Sequence, residues 1–142
     1  MIQLKELQEK AKLVRKWCLV STTEAESGHP TSCLSAADIA TVLFDRYFTY
    51  DLNNPHNATN DRFVLSKGHA APLLYTLFGV AGAYPLNGLK TLRKFGSVFE
   101  GHPVPKYKYA EAATGSLGQG LSVGAGLALV ASNSGVQKMD RR

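Results

Sequence analysis

The sequence predicts a helix-rich α/β fold. Three observations carry this. Apolar residues recur at alternating spacings of three and four over the first quarter of the chain. One short apolar run, Arg62-Phe63-Val64-Leu65-Ser66, has the look of a strand. A glycine-rich stretch, Thr114-Gly115-Ser116-Leu117-Gly118-Gln119-Gly120, opens onto a run of small and apolar residues with helical character.

Residues 3 to about 25 read as an amphipathic helix. Leu4, Leu7, Ala11, Val14 and Cys18 form its apolar stripe, with Lys5, Glu9, Lys12 and Lys16 on other faces. Glu6 and Lys10 form a favourable i,i+4 pair. Ser27-Gly28-His29-Pro30 ends the helix. A second helix is expected from 34 to about 50, with Ile39, Val42, Leu43 and Phe44 among its apolar positions. Asp51-Leu52-Asn53-Asn54-Pro55-His56-Asn57 has the composition of a surface loop. After the strand-like run, a helix is expected from 69 to 81 and a short one over 87–95. Residues 96–112, broken by Gly and Pro, read as irregular. The last helix, about 118–132, holds Gly118, Gly120, Gly124 and Gly126. Each glycine costs about 1 kcal/mol of helix propensity against alanine. Tight packing on both sides would explain so many small residues, so this helix is expected to be buried, against another subunit.

The chain has 142 residues, 44% of them hydrophobic and 19% charged, with a formal net charge of +5. That balance suits a soluble globular chain. The basic residues are scattered and not interleaved with aromatics, which argues against nucleic acid. No run approaches the ~20 apolar residues that span a bilayer, and the charged first ten residues are no secretory signal. Cys18 and Cys33 do not form a C-x-x-C and read as free thiols, which points to the cytoplasm.

Three of the four histidines follow a glycine: Gly28-His29, Gly68-His69 and Gly101-His102. With 13 glycines in 142 residues, chance would give fewer than one such pair. Pro30 and Pro103 follow two of them. A glycine before and a proline after constrain the backbone, so each imidazole is aimed. Neutral imidazole both donates and accepts a proton near neutral pH, which suits transfer to a substrate hydroxyl. Any one of them alone would read as a structural histidine at a turn. The three together read as a site. His56 reads as solvated. Their spacings neither support nor exclude a zinc site. The glycine-rich stretch lacks the Walker and dinucleotide patterns. Its backbone N–H groups, at the start of a helix, suit a phosphate or a polar ring.

These segments, in order, are Ser27-Gly28-His29-Pro30-Thr31-Ser32, Asp61-Arg62-Phe63-Val64-Leu65-Ser66-Lys67-Gly68-His69-Ala70, Gly101-His102-Pro103 and Thr114 to Gly120. The set resembles the amino-terminal part of transketolase, over about residues 5 to 133. Thr31-Ser32 and Ser66-Lys67 are closer to the animal-type branch. The resemblance implies the helix-rich start of a thiamine-diphosphate-binding domain, a doubly wound parallel sheet that residues 1–142 carry only in part, with no second domain. It implies transfer of a two-carbon ketol unit from a ketose phosphate to an aldose phosphate, with sugar phosphates as substrates and a homodimer as the assembly. By the same resemblance, His29 touches substrate and helps proton transfer. His69 meets cofactor and donor near the reacting carbon, and His102 bonds the donor's hydroxyl end. Ser32 lies by the cofactor. Gly115, Ser116 and Leu117 line it with backbone groups, and Lys67 neutralises diphosphate charge.

The family's Mg²⁺ motif, Gly-Asp-Gly with a later Asn, is not in these residues, which end at Asp140-Arg141-Arg142. The metal's ligands are therefore expected elsewhere, and the chain is expected to be a fragment, inactive and poorly folded alone. A subunit of a split transketolase, a related thiamine-diphosphate synthase and a non-catalytic interaction module are the alternatives. Gly101-His102-Pro103 favours transketolase among the enzymes.

Overall fold

A computed structural model describes residues 4–134. Gln3, assigned above to the first helix, and the final Asp140-Arg141-Arg142 lie outside the described residues. The elements in order are α1 (Leu4–Glu24), α2 (Pro30–Arg46), a 3-10 turn (Gly68–Ala70), α3 (Ala71–Val80), a 3-10 helix (Leu86–Thr91) and α4 (Gln119–Asn133).

α3 is the centre of the molecule. It is apolar on every face, and every residue from Ala71 to Gly79 is buried, the expected fate of a helix without a polar side. α1 packs on it through Val14 and Cys18, α2 through Cys33, Ala37 and Ala40. On the far side Phe78 sits in an aromatic layer. It stacks on Tyr109 with centroids 4.7 Å apart and meets Phe44 and Tyr50 edge-on, each at 5.3 Å. Salt bridges from Lys10 to Asp45 and from Arg15 to Asp38 tie α1 to α2.

The α1 stripe is buried at Ala11, Val14 and Cys18, while Leu4 is exposed. α2 differs from expectation. It starts at Pro30, where proline suits the first turn. It stops at Arg46, where the N–H groups of Tyr47 and Phe48 both donate to the Leu43 carbonyl. Its buried face is Cys33, Ala37, Ala40 and Thr41, and Ile39, Val42 and Leu43 point outward. Small side chains let α2 lie close to α1, which leaves the larger ones on the outer face.

The strand expected at 62–66 does not form; no strand occurs among the described residues. A strand needs a neighbour to complete its hydrogen bonds, and here the Leu65 carbonyl accepts from the Thr114 hydroxyl instead, at 2.7 Å. The expected helix over 87–95 ends at Thr91. Arg93, two residues later, has φ +60°, which no helix accommodates.

Within this chain α4 has little of the burial expected of it. Gly120 is its one buried residue, and Leu121, Leu129 and Val130 are 64–80% exposed. A Cβ at Gly120 would lie 2.6 Å from Ser66 Cβ, whereas nothing lies within 4 Å of one at Gly124 or Gly126. Only the first turn of this helix packs tightly.

Cys18 and Cys33 are both free and buried. The Cys33 Sγ lies 3.8 Å from the Ala70 carbonyl, linking α2 to the 3-10 turn.

Replacing Phe78 by alanine should cost about 3–5 kcal/mol, and replacing exposed Leu121 by alanine no more than about 0.5 kcal/mol. Equilibrium denaturant unfolding followed by circular dichroism checks both.

Candidate active site

The end of α1 delivers the first histidine. Glu26 (φ +47°) and Gly28 (φ +133°) reverse the chain. Gly28 has no alternative: a Cβ there would lie 2.7 Å from Thr22 Cγ2. His29 then caps α2, and Ser32 falls in that helix's first turn.

The second histidine arrives on the 3-10 turn. His69 Nε2 and Ser32 Oγ are 2.9 Å apart, hydrogen-bonded in a direction the tautomer decides. The His29 and His69 rings meet edge-to-face with centroids 5.0 Å apart. Lys67 Nζ donates to the Ser32 carbonyl and, at 2.8 Å, to Ser35 Oγ. The start of α2 and the 3-10 turn are thus cross-linked beside both imidazoles.

The third histidine is anchored from the core. Tyr75 Oη, on α3, donates to the carbonyls of Glu100 and His102 at 3.0 and 3.2 Å, and Pro103 behind them is fully buried. The glycine-rich stretch closes on the same place. A Cβ at Gly115 would lie 3.4 Å from His102 Cδ2, which places the bare Gly115 backbone beside the ring. The stretch is braced by Gln119, whose Oε1 accepts from Ser116 N and whose Nε2 donates to the Ala113 carbonyl, both at 3.2 Å. Gly120 N donates to Ser66 Oγ at 3.2 Å. Ser116 and Leu117 are left exposed, Leu117 by 73%.

His69 is held below the ordinary histidine value, first by burial and then by positive charge on His29, Lys67 and His102. His29 and His102 therefore both lie within electrostatic reach of His69, with Ser32 and Lys67 beside it. His56 stays exposed in its own loop. Among the described residues no group of three or more His, Cys, Asp or Glu side chains can hold a metal ion. The geometry offers a neutral imidazole hydrogen-bonded to a hydroxyl, two more imidazoles, one ammonium group and an open glycine edge. That donor set suits proton handling beside a ring with an anionic tail.

Four residues that position the site were not singled out from sequence. Ser35 holds Lys67, Ser66 holds α4, Thr114 holds Leu65, and Tyr75 holds the His102 turn. Thr114 and Ser66 at least fall inside the motifs already noted; Ser35 and Tyr75 carry no local signal.

Residues 7–140 match the family model described as transketolase, thiamine diphosphate binding domain. The chain belongs to the transketolase family. The transketolase of Pongo abelii is 52% identical over 126 residues, which is 89% of this chain and 20% of that protein. The Homo sapiens transketolase is 50% identical over the same coverage. Among solved structures, transketolase from Leishmania mexicana superposes with a TM-score of 0.81 at 34% identity, covering 87% of this chain and 19% of its own. A Pichia stipitis transketolase, in complex with sedoheptulose-7-phosphate, gives 0.81 at 36% identity, covering 87% and 18%. The chain thus spans about a fifth of the length of the curated transketolases it matches.

A histidine value lowered in the fold means that the neutral ring predominates at neutral pH. The folded state loses stability as pH falls through that value. In an NMR titration the His69 ring should show its midpoint below the ~6.5 of free histidine. Lys67→Met should raise it by removing a like charge, but not restore it fully, because burial is the larger cause.

Proposed function

We propose that this chain forms the amino-terminal part of the thiamine-diphosphate-binding domain of a transketolase. The reaction is transfer of a two-carbon ketol unit from a ketose phosphate to an aldose phosphate. The observation that carries this reading is the grouping of His29 and His102 around His69, with the Gly115 backbone against the His102 ring.

Thiamine diphosphate, when bound, supplies the electron sink that stabilises a carbanion. The residues of this chain do the rest. Gly115, Ser116 and Leu117 would line the cofactor with backbone groups. Ser32 and His69 would lie beside it, and Lys67 would offset the charge of its diphosphate. His69, held neutral at pH 7 with its Nε2 bonded to Ser32, would take or give a proton close to the reacting carbon of the donor. His29, set edge-on to it, works on a substrate hydroxyl from the N-terminus of α2. His102 holds the hydroxyl end of the donor. Mg²⁺ expected with the diphosphate needs oxygen ligands, and its carboxylate ligands would come from outside the described residues.

Residues 1–142 make up part of the pyrophosphate-binding domain in this reading, and the doubly wound sheet is completed by further chain. The exposed apolar residues of α4 (Leu121, Leu129, Val130) and of α2 (Ile39) are consistent with further protein packing there, including a second subunit of a homodimer. No described helix is long and apolar enough to cross a membrane, and the free thiols fit a cytoplasmic enzyme.

The test is a chimera in which residues 7–134 replace the matching segment of the human relative, assayed with sedoheptulose-7-phosphate as donor. The chimera should be active, and His29→Ala, His69→Ala and His102→Ala should each lower turnover by about 10²–10⁴-fold, the range for lost general acid–base groups. Parental activity in all three variants would instead mark the segment as a non-catalytic module.

A further inference from the structure

Two non-glycine residues among those described have positive φ. Glu26 lies at the reversal before His29. Arg93 (φ +60°) lies just after the 3-10 helix Leu86–Thr91. A bulky residue rarely occupies the left-handed region, and where one does, the surrounding structure imposes it.

What imposes it is visible around Arg93. Its N–H donates to the Phe99 carbonyl at 2.8 Å, closing the neck of the loop between them. Inside that loop, Ser97 Oγ meets Thr91 Oγ1 at 2.8 Å and accepts from Phe99 N at 3.1 Å. The side chain of Arg93 then turns back over Gly101. A Cβ built on Gly101 would lie 2.8 Å from Arg93 Cζ, 2.9 Å from Nη1 and 3.2 Å from Nε. The guanidinium therefore rests on the peptide that precedes His102. Among the described residues it makes no ion pair and no side-chain hydrogen bond. The nearby acid, Glu100, is paired with Lys106 at 3.6 Å. So a strained arginine is laid against the Gly101 peptide with no carboxylate to draw it there.

We infer that Arg93 is a positioning residue for His102: its guanidinium bears on the outer side of the Gly101–His102 turn while the Tyr75 hydroxyl holds that turn from the core. Gly101 is glycine because a side chain would take the guanidinium's place. The inference rests on the reading that His102 meets the donor sugar, and it adds a residue that governs how well it does so. Lysine cannot substitute, since a compact ammonium lacks the planar surface that lies on the peptide.

The test uses the same chimera. Arg93→Gly removes the side chain and relieves the backbone, so the melting temperature should not fall. The KM for the donor should rise about tenfold or more, with the acceptor KM unchanged. Arg93→Lys should not restore it. Gly101→Ala should reproduce the defect, because its Cβ displaces the Arg93 guanidinium from the turn. In the His102→Ala background, Arg93→Gly should add nothing further. Donor kinetics unchanged in both Arg93→Gly and Gly101→Ala, alongside an impaired His102→Ala, would overturn the inference. So would fully additive losses in the double variant. An unimpaired His102→Ala would instead overturn the functional reading on which it stands.

Discussion

The site depends on a place where there is no room for a side chain. A Cβ on Gly68 would fall 2.2 Å from the carbonyl oxygen of Thr114, and the Thr114 hydroxyl donates to the Leu65 carbonyl at 2.7 Å. Backbone thus meets backbone, with one buried hydroxyl as the clasp. The hydroxyl bond joins residues 49 apart in sequence. The backbone contact sets the 3-10 turn that carries His69 against the stretch that leads to Gly115. A second contact of the same kind follows at Gly120 on Ser66. Neither can be lengthened by rotating a side chain, so the two segments have one relative placement.

The remaining histidines are tied to the same frame by different means. α3, buried on all sides, holds the 3-10 turn at its N-terminus and the Tyr75 hydroxyl in its middle. His69 and His102 are therefore referred to one rigid helix. His29 is referred to it through α2, whose Cys33 and Ala37 pack on the core and whose Ser32 bonds His69. Burial, and the basic groups of His29, Lys67 and His102 beside it, then hold His69 below the ordinary histidine value. Packing and acid–base behaviour have the same origin here, because crowding the basic groups together is what shifts the proton.

The sequence made the histidines and the glycine edge legible, because Gly-His pairs and glycine clusters are local patterns. It made α1 legible through its stripe of Ala11, Val14 and Cys18. α2 was misjudged because large apolar residues were assumed to face the core, while Cys33, Ala37 and Ala40 pack there instead. The run at 62–66 has strand composition, but a strand is a relation between segments, and none of the described residues supplies the partner. The glycines of α4 suggested burial, yet only Gly120 is pressed by a neighbour. Tyr75 and Ser35 act through contacts 25 or more residues distant, which no window of sequence displays.

The most direct test of this account is the affinity of the chimera for thiamine diphosphate, by calorimetry, with Gly68→Ala set against Gly79→Ala. A Cβ at Gly79 would meet only the side chains of Leu86 and Tyr84, which can give way. The account predicts that Gly68→Ala loses cofactor binding by about 100-fold or more, and that Gly79→Ala keeps it within a few fold. Equal affinity in the two variants, with equal melting temperatures, would contradict the claim that the Gly68–Thr114 contact holds the site together.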